Sequence, residues 1–170
     1  MKDVKTIVDL GSNIGISALY FLTRNSHSYC YLFEPDPKNI DKLKHNLSDY
    51  NDRYHLYENA VATTSGEVQF GVEKTGSYGG IGVETGNYIS VSCLNINDVL
   101  NDILSKEKQI DILKVDTEGS EIITIESINR DYLKKIKCIY LEGYPKEHIH
   151  PELFTNYQYG SICQMKNKYL

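Results

Sequence analysis

Short runs rich in β-branched and aromatic residues alternate along this chain with segments whose apolar residues recur at helical spacing, and this alternation constrains the fold more than any other feature. Residues 5–10 (KTIVDL) form a strand-like run that ends at a glycine turn, and from Ile14 to Phe21 the spacing becomes helical. Residues 29–34 (YCYLFE) give a second strand. A helix follows, with Asp36 placed to N-cap it, Pro37 at its first position and Ile40, Leu43 and Leu47 along one stripe. Residues 54–62 read as a third strand. Residues 65–93 break the rhythm: two alternating runs flank a glycine-rich stretch, the pattern of an antiparallel hairpin around a loop. Beyond it Asn97 and Asp98 open a helix to about Leu104, residues 110–115 (IDILKV) are a strand, residues 120–128 a helix and residues 136–144 another strand. The tail, residues 152–170, reads as a short helix and an edge strand.

Strands alternating with amphipathic helices build βαβ units, a mainly parallel sheet and right-handed crossovers. The expected architecture is α/β and Rossmann-like, with an inserted antiparallel β-hairpin, in one domain spanning residues 1–170. Ligands of such sheets bind beyond the carboxyl ends of the strands, near the point where strand order reverses.

Charge and cysteine usage narrow the partners. With 18 Lys and Arg against 23 Asp and Glu, the net charge of −5 lacks the basic footprint that phosphate backbones attract, so nucleic acid is disfavoured. Cys30, Cys93, Cys138 and Cys163 form no C-x-x-C pair and read as free thiols in a reducing compartment. No stretch of about 18 apolar residues appears, so the expectation is a soluble, cytoplasmic protein without a membrane span.

The first turn, Gly11-Ser-Asn-Ile-Gly15, departs from the G-x-G-x-x-G fingerprint by placing Asn13 where a glycine would admit a pyrophosphate, which disfavours NAD. Asp9, two residues before the first glycine, suits a ligand bearing an ammonium group. Glu34, ending the second strand, suits the two hydroxyls of a ribose. A ligand with ammonium and ribose parts but no diphosphate fits S-adenosylmethionine.

Five stretches in this order, VDLGSNIG, FEPDPKNIDKLKHNL, NAVATTSGEVQF, DILKVDTEGSE and IYLEGYP, resemble the FkbM family of S-adenosylmethionine-dependent methyltransferases over residues 6–145. The resemblance implies a class I methyltransferase fold and, usually, O-methylation of a hydroxyl on a sugar or other small molecule. By position it implies that Asp9, Gly11, Asn13 and Gly15 line the methionine end of the cofactor, Glu34 its ribose, and Asn59 and Ala60 its adenine.

On the fourth strand Lys114 and Asp116 share a face, and Glu142 closes the fifth. Asp116 is the expected general base, Glu142 the second candidate, and Lys114 the group that orients the acceptor or its base. Glu118 reads as a first-turn helix acid at a helix N-terminus suited to a developing oxyanion. A divalent ion on Asp116, Glu118 and Glu142 is a weaker alternative, since three acids from two strand ends are no specific signature; no metal site is assigned. His148 and His150 read as surface. Tyr78 and Tyr144 are placed where a sugar ring could stack, and residues 75–87 as a lid or a plain connector. The acceptor is expected to be a saccharide or small molecule; the alternatives are a protein or nucleic-acid methyltransferase and a non-catalytic cofactor-binding module. The oligomeric state stays open.

Overall fold

The computed structural model describes residues 4–73 and 79–170. Among them the chain forms β1 (Thr6–Leu10), α1 (Ile16–Arg24), β2 (Tyr29–Phe33), α2 (Pro37–Asn46), β3 (Tyr54–Tyr57), β4 (Ala60–Ala62), β5 (Gly66–Val72), β6 (Gly79–Ile81), β7 (Tyr88–Asn95), α3 (Ile96–Lys106), β8 (Ile110–Val115), α4 (Glu121–Glu126), α5 (Arg130–Leu133), β9 (Ile136–Glu142), β10 (Phe154–Tyr159) and β11 (Ile162–Asn167). Seven strands build the main sheet in the order β10-β11-β9-β8-β1-β2-β3. Its ladders are parallel except on both sides of β11.

A parallel sheet must be covered on both faces, and the alternation along each strand supplies the two sets of side chains. Val8, Leu10, Leu113, Ile139 and Met165 pack on one face with Ile96, Leu100 and Ile103 of α3 and Ile125 of α4. Ile7, Leu32 and Ile112 pack on the other with Ala18 and Leu22 of α1 and Leu43 of α2. Asp36 caps α2 as expected, its Oδ1 accepting from Lys38 N at 2.9 Å with Pro37 at the first helical position.

Three local readings are corrected. The stretch 54–62 is two strands: β3 pairs with β2 in the main sheet, whereas β4 leaves at Glu58-Asn59 and lies parallel to β7. The expected hairpin is real, with β5 and β7 antiparallel from Gly66↔Cys93 to Gly71↔Tyr88, but β4 and β6 extend it to a four-stranded second sheet. The tail holds no helix and is a β10–β11 hairpin whose second strand slots between β9 and β10 rather than lying at the edge. Burial of Cys163 and Met165 explains this, since their period of two suits a strand. Tyr78 and the start of the 75–87 segment lie outside the described residues; its later part contains β6.

All four cysteines are unpaired, three of them buried and Cys138 partly so. Among the described residues no helix is long and apolar enough to cross a membrane.

Candidate active site

The switch point falls where β1 is flanked by β2 on one side and β8 on the other, and the loops leaving these strands meet there. Gly11 has φ +79°, and a Cβ on it would lie 1.9 Å from the carbonyl oxygen of Asp116. Only glycine fits, because the end of β8 crosses directly over the turn, with Asp116 N donating to Leu10 O at 3.0 Å. The amides of Gly11 and Ser12 both donate to Phe33 O, which ties this turn to the end of β2.

That geometry turns Asn13, itself left-handed at φ 48°, towards Glu34: its amide donates to Glu34 Oε2 at 2.8 Å. Asp36 N donates to Oε1 at 2.9 Å, and the Asn39 side-chain amide donates to the same carboxylate. Glu34 is 4% exposed. Burial pushes its carboxyl above the ordinary glutamate value, and the surrounding N–H groups offset only part of that shift.

Glu34 forms one side of a cleft whose empty space, counting its open mouth, is about 640 Å³. Gly11, Asn13, Glu34, Asn59, Ala60 and Asp116 all line it, so the structure gathers six of the residues singled out in the sequence. Its apolar wall was not foreseen: Phe33 comes from the main sheet, and Val61, Phe70 and Ile81 from the second sheet, which folds over the cleft. Gly80 permits that closure, since a Cβ there would stand 2.9 Å from Glu118 O. Asn39 is a second unforeseen lining residue; at the third position of α2 it reads in sequence as ordinary helix.

Asp9, Gly15, Lys114 and Glu142 do not line the cleft. Gly15 lets α1 pack on α2, where a Cβ would meet Leu43 Cγ at 3.0 Å. Asp9 has a side chain only 1% exposed and faces an ammonium group of the protein itself: Lys114 Nζ lies 3.1 Å from Asp9 Oδ1, while Ser17 Oγ donates to Oδ2. Lys114 also pairs with Asp116 Oδ2 at 3.0 Å and donates to Gly11 O at 3.1 Å. Burial pulls the Lys114 ammonium down, but the two carboxylates outweigh it and hold it above its ordinary value. The lysine is thus a clamp joining β1, the glycine turn and Asp116.

The turn after β8 also differs from expectation. α4 starts at Glu121, not at Glu118, and the Glu121 carboxylate itself takes the amides of Thr117 at 2.9 Å and Gly119 at 3.0 Å. Glu121 thus occupies the amides of the turn that leads into α4. Glu118, freed from the helix, sits at φ 55° and lines the cleft beside Asp116. Burial, together with the charges of Asp116 and Glu142, raises its carboxyl above the ordinary value. Among the described residues no three His, Cys, Asp or Glu side chains are placed to hold a metal ion.

Residues 9–163 match the Methyltransferase FkbM domain. The chain belongs to this family. Over 86% of its length the FkbM domain is 24% identical to methyltransferase sdnD of Sordaria araneosa, and over 83% it is 26% identical to the 2-O-methyltransferase NoeI of Sinorhizobium fredii. It spans 69% of the first relative and 64% of the second. An rRNA methylase from Streptococcus thermophilus superposes with a TM-score of 0.53 over 97% of this chain and 87% of its own, at 10% identity, a likeness of fold alone. The main sheet, with its reversed β11, is that of a class I methyltransferase, and the FkbM domain is a methyltransferase.

Proposed function

We propose that the FkbM domain transfers a methyl group from S-adenosylmethionine to a hydroxyl oxygen of a saccharide or related small molecule. One observation carries this reading: a single cleft is lined both by a buried acceptor, Glu34, and by Asp116 and Glu118. The residues present fit the donor. Glu34, held by the Asn39 side-chain amide, offers a hydrogen-bond acceptor to a ribose, Phe70 and Ile81 a dry wall for a base, and Asn13 its backbone beside the glycine turn. When bound, the donor supplies a methyl group on a positively charged sulfur. In this reading the protein aligns the acceptor hydroxyl with that methyl, and Asp116 takes the proton the hydroxyl releases.

The acceptor class is supported by what continues the carboxylate row. Val115 pairs with Leu141, so Asp116 and Glu142 are neighbours across the strand ends; Glu142 pairs with Ile162, and Ile162 with Tyr159. Tyr159 and Tyr157 are exposed and nearly parallel, 6.5 Å apart at 21°, and Tyr144 is 69% exposed just past Glu142. Aromatic faces suit the C–H faces of a sugar ring, and carboxylates its hydroxyl edge. The 2-O-methyltransferase NoeI, similar to this chain, agrees with an oxygen acceptor. A net charge of −5 argues against RNA.

Calorimetric titration with S-adenosylhomocysteine, with NAD as control, tests the donor. Micromolar binding of the first alone is expected, weakened in Glu34→Ala by about 1–3 kcal/mol. Affinity should also fall as pH drops through the raised Glu34 value, because a protonated carboxyl loses an acceptor site, and this dependence should vanish in Glu34→Ala. Absence of binding would refute the donor assignment. Transfer of labelled methyl to sugars, and not to RNA or protein, is the expected outcome of an acceptor screen.

A further inference from the structure

The main sheet ends on one side at β10, whose outer flank has no neighbouring strand among the described residues. An open edge is a template for pairing, and proteins usually blunt it with charge, proline or shortness. The other edge strands follow that rule by length: among the described residues β3 spans four residues, and β4 and β6 three each. β10 spans six. No Asp, Glu, Lys, Arg, His or Pro occurs from Leu153 to Met165, in a chain that is 24% charged.

The register fixes which backbone groups are open. Lys168 N donates to Leu153 O at 2.9 Å, and a tight turn at Gly160-Ser161 joins Tyr159 to its partner Ile162. Hydrogen-bonded pairs alternate along an antiparallel ladder, so Thr155, Tyr157 and Tyr159 bond to β11, while the N–H and C=O of Asn156 and Gln158 point outward. Phe154 N is already taken by His150 O at 3.0 Å. Neither outward residue caps the edge with its side chain: Asn156 Nδ2 donates to Ile149 O at 3.4 Å, and Gln158 Nε2 to Gly143 O at 3.0 Å and Gly160 O at 2.8 Å.

We infer that β10 pairs antiparallel with β10 of a second copy of this chain, joining two main sheets into one about a two-fold axis. In the register that sets Asn156 opposite the partner's Gln158, both open residues of each copy are used, and each pair exchanges two N–H···O bonds. Tyr157 then faces the partner's Tyr157 across the axis, in the close position where aromatic pairs stabilise a sheet. Charge selects a second copy over another extended chain. At net charge −5 two copies repel, and an uncharged strand lets them meet without opposing like charges. A charged peptide finds no counter-charge along that strand. The contact is isologous, so it closes at two copies. The inference stands apart from the donor and acceptor readings.

Sedimentation velocity and residue-resolved amide hydrogen exchange, both across the micromolar range, test it. A monomer–dimer equilibrium is expected, with the Asn156 and Gln158 amides exchanging freely in the monomer and at least about tenfold more slowly in the dimer. The Tyr157 and Tyr159 amides, already bonded to β11, should change far less. Gln158→Pro removes an outward N–H from each copy and should abolish the dimer. Tyr157→Glu sets like charges together on the axis and should do the same; it takes the place of the proline variant if that one does not fold. A chain that stays monomeric at every concentration overturns the inference. So does a dimer that survives these variants or leaves both amides exchanging freely, and so does growth past the dimer, which marks an edge that aggregates instead of closing.

Discussion

Replacing Lys114 by methionine is expected to lower the stability of the FkbM domain by about 3–5 kcal/mol, the cost typical of leaving a buried charge without its partner. The charge in question is Asp9, wholly buried in β1 and matched, among the described residues, by Lys114 and the Ser17 hydroxyl. Methionine keeps the aliphatic bulk of the lysine and removes the ammonium, so the loss would report electrostatics rather than packing. Urea denaturation should show an earlier midpoint with an unchanged slope. The double replacement Lys114→Met with Asp9→Asn should recover much of the loss, because the buried charge is then gone as well and Asp116, the other partner of Lys114, is partly exposed to water. The pH dependence has a definite sign: a lysine whose value is raised by folding stabilises below its ordinary value, and that contribution disappears as pH rises through the raised one. Stability should therefore fall towards strongly alkaline pH in the wild type more steeply than in the methionine variant. Midpoints agreeing within about 1 kcal/mol would show that the clamp is not an anchor.

The contrast between Asp9 and Glu34 explains what a sequence can and cannot disclose about such a site. Both acids are legible as the ends of short strands; Gly11 and Asn13, read from the turn itself, and Asn59 and Ala60, which the family resemblance implies, all line the cleft. Asp9 was assigned to the ligand because its partner is 105 residues away: only the register of β1 on β8, which sets Asp9 opposite Lys114, shows that the ammonium it meets is internal. Non-local pairing also hid the second sheet. Phe70 and Ile81 alternate like any strand residues, and nothing local says that β4 will leave the main sheet at Asn59 to bring them over the cleft. The tail failed for a different reason. Its apolar residues are few and its polar ones many, and the period of two in Cys163 and Met165 becomes decisive only once β9 offers an open edge. In Asn39 the informative feature is its contact with Glu34, which no linear pattern contains.

Asp116→Asn should leave affinity for S-adenosylhomocysteine nearly unchanged and lower kcat by about 10²–10⁴-fold, the usual worth of a positioned base. The asparagine is nearly isosteric and still accepts from Lys114, so the clamp and the glycine turn should survive; what disappears is the ability to take a proton. The competing candidate is Glu118, which lines the same cleft and holds its proton to higher pH than an ordinary glutamate. The two make different predictions. If Asp116 is the base, Glu118→Gln should cost far less than Asp116→Asn, and its main effect should be on the pH profile, through the charge it no longer presents to its neighbour. If Glu118 is the base, the order reverses, and the acidic limb of kcat should follow its raised value and vanish in Glu118→Gln. Full kcat in Asp116→Asn would remove Asp116 from the chemistry and leave it as the outer end of the Asp9–Lys114–Asp116 clamp, a role its 3.0 Å ion pair already fulfils.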